Sequence, residues 1–408
     1  MTTAAARPMR IAVFAETYLP YLSGVTVSTE TLVRGLGAAG HQVLLIAPRP
    51  AEAGEPASAG APGPSPEYAW LPSYQPPPPA PRGYRMPWPL PGSALQRARD
   101  FAPDIVHAQS PFVSGLMARR IAQRTGARLV FTHHTRFADY RHYLGPFAHA
   151  ASRTLDAYLH DFWASCAAVI APGSELADEI RERLGERRRP LVRVIPTGID
   201  VSAIQALPPR DLRSDHGWPP DSLVVVSLGR LAPEKDVELL VEAFAAAATR
   251  DSRLRLLLVG AGPSQELLME RVARPDLGGR AALAGQLPRM DGLAAVRGAD
   301  LFAFASHTET QGLVLAEALA CGLPVVALAG PGVTDSVRAE VDGIIVPRPA
   351  DAAEATEALA AAMVGLAADG TRRAALADAA RAGAERFDVS QRVGEVVALY
   401  RELLPRGG

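Results

Sequence analysis

One rhythm, written twice, limits what this chain can fold into. The short runs "MRIAVFAE" (9–16), "QVLLIAP", "DIVHAQ", "ARLVFTHH", "AAVIAP" and "LVRVIP" are almost uninterrupted in apolar character. Between them stand segments with helical spacing, such as "VTVSTETLVRGLGAAGH", "FVSGLMARRIAQRTG", a stretch near 146–164 and "SELADEIRERLG". After a connecting stretch at about 197–220 a second series begins, with "SLVVVSLGR", "RLRLLLVGAG", "RAALAG", "DLFAFAS", "PVVALAG" and "DGIIVP". Strands apolar on both faces and alternating with helices belong to parallel sheets covered on both sides. A chain of 408 residues is too long for one ordinary core. The expected fold is therefore α/β, with two Rossmann-like domains at 1–196 and 197–387 and a helix, "SQRVGEVVALYRELL", in the closing segment 388–408. Ligands of open α/β sheets bind at the carboxyl ends of the strands, so two such domains facing across a cleft make strand-end residues the ones to weigh.

One stretch breaks the rhythm. Residues 50–92 hold 14 prolines together with Tyr68, Trp70, Tyr74, Tyr84 and Trp88, a composition that reads as a long irregular loop. The whole chain is 48% hydrophobic and 21% charged, a globular balance. The opening "MTTAAARP" lacks the apolar region of a signal peptide. No apolar run reaches the roughly 18 residues of a membrane span. Cys166 and Cys321 are too few and too far apart for a disulfide framework or a metal knuckle. The setting expected is the cytoplasm.

Charge is uneven. Residues 1–195 carry 21 Arg against 15 acidic residues, and 196–408 carry 21 basic against 28 acidic, so +6 and −7 combine to the net −1. A positive first half suits an anionic partner, although a solvated surface also accounts for it. Of the 42 basic residues, Lys235 alone is lysine.

At strand ends, two stretches combine acids, bases and glycine. In "HTETQGLVLAEALACGLPVVA" (307–327), Glu309 lies on a strand-to-helix loop and Glu317 within the first two turns of the helix. The backbone N–H groups near Gly312, Leu313 and Val314 are helix-start donors, a ready anion site. Carboxylates beside such a site suit sugar or ribose hydroxyls; capping and surface acids are the plainer reading. "LGRLAPEKD" (228–236) places Arg230 and Lys235 where cations suit a pyrophosphate. Gly24, in "LPYLSGVTVS", lies where small size lets a ligand approach the backbone. "VFTHHTRF" ends a strand with His133 and His134, of which at most one points into a cleft, and His107 in "DIVHAQS" shares their ambiguity between ligand and core. "GAGP" (260–263) is half a dinucleotide fingerprint.

Some chemistries lack their residues. No two aspartates lie two positions apart, so no D-x-D pair is available for a nucleotide–metal complex, and no H-E-x-x-H, G-x-S-x-G or P-loop occurs. With pI near 6.8 and no basic stripe interleaved with aromatics, nucleic acid is not an expected partner.

"SGVT", "VFTHHT", "IPTGID", "LGRLAPEKD", "LAGQL" and "HTETQGLVLAEALACGLPVVA" follow one another at fitting intervals. Together they resemble the retaining nucleotide-sugar glycosyltransferases of glycosyltransferase family 4, which have the GT-B fold, over roughly residues 9–400. The resemblance implies that Glu309 lies by the donor sugar, Glu317 binds the ribose, and Arg230 and Lys235 hold the diphosphate. It implies that His134 hydrogen-bonds the sugar near the reacting centre, and that Gly24 lets its loop close over the donor. The base would rest near Gln286 and Leu287, and the C-terminal helix would pack back on the first domain. Thr197 stands in "PTGID" where Asn is common in the family. Within the family, "THHTRFADYRHYL" and "TETQGLVLAEALA" are most similar to diacylglycerol glucosyl- and galactosyltransferases. The resemblance thus implies metal-independent hexosyl transfer from a UDP- or GDP-sugar to a lipid, without a cofactor, by a protein held peripherally at the anionic cytoplasmic membrane face. A mannosyltransferase acting on another lipid or polyol, a sugar-nucleotide 2-epimerase and a sugar-binding protein are the alternatives.

Overall fold

In the computed structural model, which describes residues 7–21, 23–50, 65–77, 83–90, 92–136, 148–185 and 190–405, every one of these apolar runs is a parallel strand. The chain forms two compact units, Met1–Gly198 with Val389–Gly408, and Ile199–Asp388.

The first unit begins with β1 (Arg10–Phe14), α1 (Gly24–Ala38), β2 (Gln42–Pro48), β3 (Glu67–Leu71), β4 (Ser73–Tyr74) and β5 (Met86–Pro87). It continues through α2 (Ser93–Asp100), β6 (Ile105–Ala108), α3 (Val113–Thr125), β7 (Arg128–Thr132), α4 (Ala148–Ala164), β8 (Ala168–Ala171), α5 (Ser174–Leu184) and β9 (Leu191–Val194). Its sheet runs in the order β3-β2-β1-β6-β7-β8-β9. Alternate side chains serve opposite faces: Ala12, Phe14, Val106 and Phe131 pack with α2 to α5, while Ile11, Val13, Ile105 and Val130 pack on the other side. That second face has α1 as a cover, and the last helix of the chain supplies the rest through Val393, Val396, Val397 and Tyr400. There a Cβ on Gly35 of α1 would stand 2.5 Å from Val393 Cγ2. The C-terminal helix thus returns to the first unit because an uncovered parallel sheet would leave apolar surface in water.

The proline-rich stretch departs from the irregular loop its composition suggests. "EYAWL" adds an edge strand, β3, parallel to β2, and β4 and β5 form a small antiparallel ladder. Ala69 and Leu71 enter the core while Tyr68 and Trp70 stack on the opposite face, their centroids 5.3 Å apart. The prolines flanking this segment hid a short alternating aromatic run, and an edge strand tolerates such neighbours because one side needs no ladder partner. Pro56, Pro62, Pro64, Pro78, Pro79, Pro81 and Pro91, and the stretch "THHTRFADYRHYL" from Phe137 onward, lie outside the described residues.

The second unit contains α6 (Val201–Ala206), α7 (Leu212–His216), β10 (Leu223–Leu228), α8 (Val237–Arg250), β11 (Leu254–Val259), α9 (Gln265–Val272), β12 (Ala281–Gly285) and α10 (Arg289–Arg297). Then follow β13 (Leu301–Phe304), α11 (Leu313–Ala320), β14 (Val325–Leu328), α12 (Val333–Ser336), β15 (Gly343–Val346), α13 (Ala352–Ala368) and α14 (Gly370–Gly383). The last helix, α15 (Val389–Leu403), belongs to the first unit. The second sheet is ordered β12-β11-β10-β13-β14-β15, with a core on each face.

Both sheets start at an inner strand, grow outward, then resume on that strand's other side. The reversal falls between β1 and β6 in the first unit and between β10 and β13 in the second. At such a switch point two loops leave in opposite directions and open a crevice at the strand ends.

Candidate functional site

Two loops meet at the switch point of the second unit. One leaves β10 through Gly229, Arg230 and a short 3-10 turn at Pro233–Lys235 before Asp236, at φ 49°, opens α8. The other leaves β13 and reaches Gly312, at φ 70°, where α11 begins. Lys235 Nζ donates to Glu309 Oε1 across the crevice at 2.6 Å. Beside that pair, Thr308 Oγ1 donates to the Glu234 carbonyl at 3.2 Å and Asp236 Oδ2 accepts from His307 Nδ1 at 2.7 Å. Asp236 also accepts from Arg348 Nη1 at 3.0 Å, and Arg348 donates to the carbonyls of Ala305, Ser306 and Ala329. The two loops are therefore fixed to each other by a cross-linked polar set, the kind of second layer that holds reacting groups in place. Gly312 has a steric reason to be glycine: its φ is positive, and a Cβ would lie 2.8 Å from Leu315 Cδ1.

Glu317 is buried in α11 and its Oε1 accepts from Nε and Nη2 of Arg289 at 3.1 and 2.6 Å. Arg289 opens α10 directly after Gln286, Leu287 and Pro288, so the resemblance's ribose carboxylate and its base-side segment are joined by one guanidinium. Arg230 is half-exposed, with Nη1 3.7 Å from the buried Glu234. The "GAGP" glycines answer to packing instead: a Cβ on Gly260 would stand 1.8 Å from the Gly229 carbonyl oxygen, and one on Gly262 2.2 Å from that of Leu231.

In the first unit the three histidines separate. His107 is wholly buried, its Nδ1 on the Tyr400 hydroxyl at 2.6 Å and its Nε2 on Thr132 Oγ1 at 2.7 Å, so it ties β6 to α15. His133 is buried too, accepting from Trp163 Nε1 at Nδ1 and donating from Nε2 to the Thr135 carbonyl. Burial pushes these two imidazoles down to about 3 and about 4, so both are neutral core groups. His134 is half-buried beyond the end of β7, and its Nε2–H donates to Gln109 Oε1 at 2.8 Å. Burial and then the adjacent His133 hold it below the ordinary histidine range, and Gln109 sets its tautomer. Gly24 is the first residue of α1, behind a Ser23 capping box, and a Cβ there would meet nothing within 4 Å.

The model of Glycosyltransferase Family 4 matches residues 22–203 and that of Glycosyl transferases group 1 matches residues 210–382. A GDP-mannose-dependent alpha-mannosyltransferase from Mycolicibacterium smegmatis is 30% identical over 83% of this chain and 84% of its own. The chain belongs to glycosyltransferase family 4. Another family relative by sequence, the alpha-monoglucosyldiacylglycerol synthase of Streptococcus pneumoniae, is 27% identical over 83% of this chain and 75% of its own. Among solved structures, Anabaena HepE in complex with UDP and glucose aligns over 97% of this chain and 100% of its own, with TM-score 0.70 at 20% identity. The sucrose-phosphate synthase of Thermosynechococcus elongatus reaches TM-score 0.73 at 23% identity, over 97% and 99% of the two chains. These likenesses give this glycosyltransferase the GT-B fold class.

Of the residues singled out in the sequence, the fold gathers Arg230, Lys235, Glu309, Gly312, Leu313 and Val314 at one switch point, with Glu317, Gln286 and Leu287 reached through Arg289. Gly24 and His134 belong to the first unit. Arg289, Asp236, Arg348 and Gln109 escaped sequence reading. Arg289 was the most accessible of them, since it follows "GQLP" at a helix start. The others work through partners far away in sequence.

Proposed function

We propose that this glycosyltransferase moves a hexose from a nucleotide diphosphate sugar to a lipid acceptor, with retention and without a metal ion, at the cytoplasmic face of the membrane. The observation that carries the reading is the Lys235–Glu309 contact at the second unit's switch point, beside Arg230 and the start of α11. As the bond from the anomeric carbon to the diphosphate oxygen breaks, its electron pair goes to that oxygen, the acceptor hydroxyl oxygen bonds to the anomeric carbon on the same face, and the hydroxyl proton passes to the departing diphosphate. Lys235 and Arg230 stabilise the charge that builds there, the task a divalent ion performs elsewhere. Glu309, already held by Lys235, is assigned to the hydroxyls of the transferred sugar. Glu317, held by Arg289, is assigned to the ribose. The resemblance gives His134, a neutral imidazole of set tautomer, a hydrogen bond to the sugar.

Glucosyl and mannosyl donors are both represented among the relatives' names, so UDP-glucose and GDP-mannose are the donors to test. The protein is incubated with each, and with dioleoylglycerol vesicles, in excess EDTA. A glycosyl-diacylglycerol that keeps the donor's anomeric configuration, formed at the same rate with and without EDTA, is the expected result. Activity that appears only with Mg²⁺ or Mn²⁺ contradicts metal independence, and an inverted product contradicts retention.

Membrane docking has support in the first unit. Phe112, Leu116, Arg120 and Arg124 recur at intervals of four along α3, all exposed, and Arg128 follows. Trp88 and Leu90 add exposed apolar surface, while Arg119 is engaged by Asp161 at 2.7 Å. Apolar anchors followed by arginines suit a headgroup boundary, where each cation contributes about 1 kcal/mol beside an acidic leaflet. No helix among the described residues is long and apolar enough to cross a membrane. In co-sedimentation, binding is expected with vesicles containing phosphatidylglycerol at low salt and to fall as salt rises. Leu116→Glu with Arg120→Glu is expected to leave the protein in the supernatant. Equal sedimentation with neutral and anionic vesicles counts against this mode of attachment.

A further inference from the structure

Two buried N–H donors of the first unit belong to residues that line one cavity. Gln109 follows β6, is 3% exposed, and its Nε2 is buried without a hydrogen-bond partner. Arg392 is the fourth residue of α15, and its Nε is buried without a partner too. Both line a recess of about 40 Å³ among the ends of β6 to β9, α1 and α15, and every residue around it belongs to the first unit.

The rest of the lining is largely settled. Thr132 Oγ1 is bound to His107 Nε2 at 2.7 Å, and the Ser28 and Thr197 hydroxyls share a hydrogen bond at 2.9 Å. Ile170, Ile195, Val393 and Val396 supply apolar wall. Gln109 Oε1 accepts from His134, and Arg392 Nη1 is taken by Glu395 at 3.0 Å. Among the described residues, no carboxylate lines the recess.

Such a lining selects its occupant. An amide N–H and a guanidinium N–H offer hydrogens and take none, and the second carries positive charge. Leaving them without an acceptor costs the desolvation of each. A water accepting from both would need acceptors for its own hydrogens, and the Thr132, Ser28 and Thr197 hydroxyls are already engaged. A group made only of acceptor oxygens and bearing negative charge meets both donors. The volume has room for roughly three water-sized atoms, the size of such a group and too small for a sugar ring.

We propose that this recess of the first unit binds a small oxyanion with the chemistry of a phosphate group, held by Gln109 Nε2 and Arg392 Nε. The donor's diphosphate is a separate ligand, assigned to the loops of the second unit. Occupancy reaches His134 through Gln109. An anion on Nε2 admits one orientation of the amide, with Oε1 toward the His134 Nε2–H, and so favours one tautomer of that imidazole.

Calorimetric titration with inorganic phosphate at constant ionic strength tests the site. Lys235→Ala serves as background, because it weakens phosphate binding at the second unit's loops and leaves the recess alone. One phosphate per chain is expected to bind saturably, while chloride gives no such isotherm. Arg392→Met keeps the apolar stem and removes the guanidinium, and it is expected to raise the Kd at least about tenfold, the scale of a hydrogen bond to a charged group. Gln109→Leu is expected to weaken binding in the same direction, and it carries the test if Arg392→Met does not fold. Phosphate is also expected to shift the ¹⁵N resonances of His134 in the wild-type protein and not in Gln109→Leu; resonances that stay put overturn the coupling. A parallel titration with glycerol 3-phosphate separates the sources. Binding of that ester points to the phosphate of a lipid headgroup, and binding of inorganic phosphate alone points to the free ion. No saturable binding of either, or unchanged affinity in both variants, overturns the site and leaves the recess to water.

Discussion

Lys235→Ala is expected to lower kcat/KM by about 10²- to 10³-fold, the usual scale for removing one group that meets transition-state charge. Lys235→Arg is expected to lose at least about tenfold. The reason is geometric. Nζ sits 2.6 Å from Glu309 Oε1, both side chains mostly buried, so the position holds a compact ammonium at the end of a flexible stem. A planar guanidinium is larger and its donors are fixed in a fork, so it reaches the same point only by moving Glu309 or the loop. A chain that uses arginine at all its other basic positions keeps lysine here. Steady-state kinetics on both variants, with melting temperatures to exclude unfolding, provide the check. Near-normal kcat in Lys235→Arg defeats the argument. Because the two residues touch, Lys235→Ala and Glu309→Gln are also expected to combine to less than the product of their separate losses.

Glu309→Gln and Glu317→Gln are expected to fail differently. Glu309 is held by the cation assigned to the leaving diphosphate and is itself assigned to the transferred sugar. Losing its charge therefore lowers kcat by about 10²-fold with little change in donor KM. Glu317 lies deeper in α11 and is engaged by Arg289 at 2.6 Å. Its substitution disturbs a contact made equally in ground and transition states, so donor KM rises about tenfold and kcat holds. Saturation curves for the donor decide between these outcomes. Equal effects on both parameters in both variants contradict the separate roles.

Much of the architecture was legible because it is local. A strand buried on both faces must be apolar at nearly every position, and a helix that covers it must be apolar at helical spacing. Those patterns are written in consecutive residues, so twelve strands could be read directly. Proline density obscured β3, whose two-residue alternation is too short to stand out among its neighbours.

The sites were only half legible, for a physical reason. Sequence showed that Glu309, Glu317, Arg230 and Lys235 stand at strand ends or helix starts, because glycine and loop signals mark those places. It did not show which carboxylate meets which cation. Lys235 and Glu309 are 74 positions apart, Arg289 and Glu317 28, Glu16 and Ser114 98. Those meetings depend on strand order, on the chain resuming beside β1 and β10 instead of continuing outward. Strand order is a property of the whole sheet, set by which edge leaves least apolar surface uncovered, and no short window of residues encodes it. The sequence by itself determined two parallel sheets and the residue types at their ends. Only the tertiary structure decided that one acid clasps the lone lysine, that another is held by Arg289, and that Glu16 caps a distant helix.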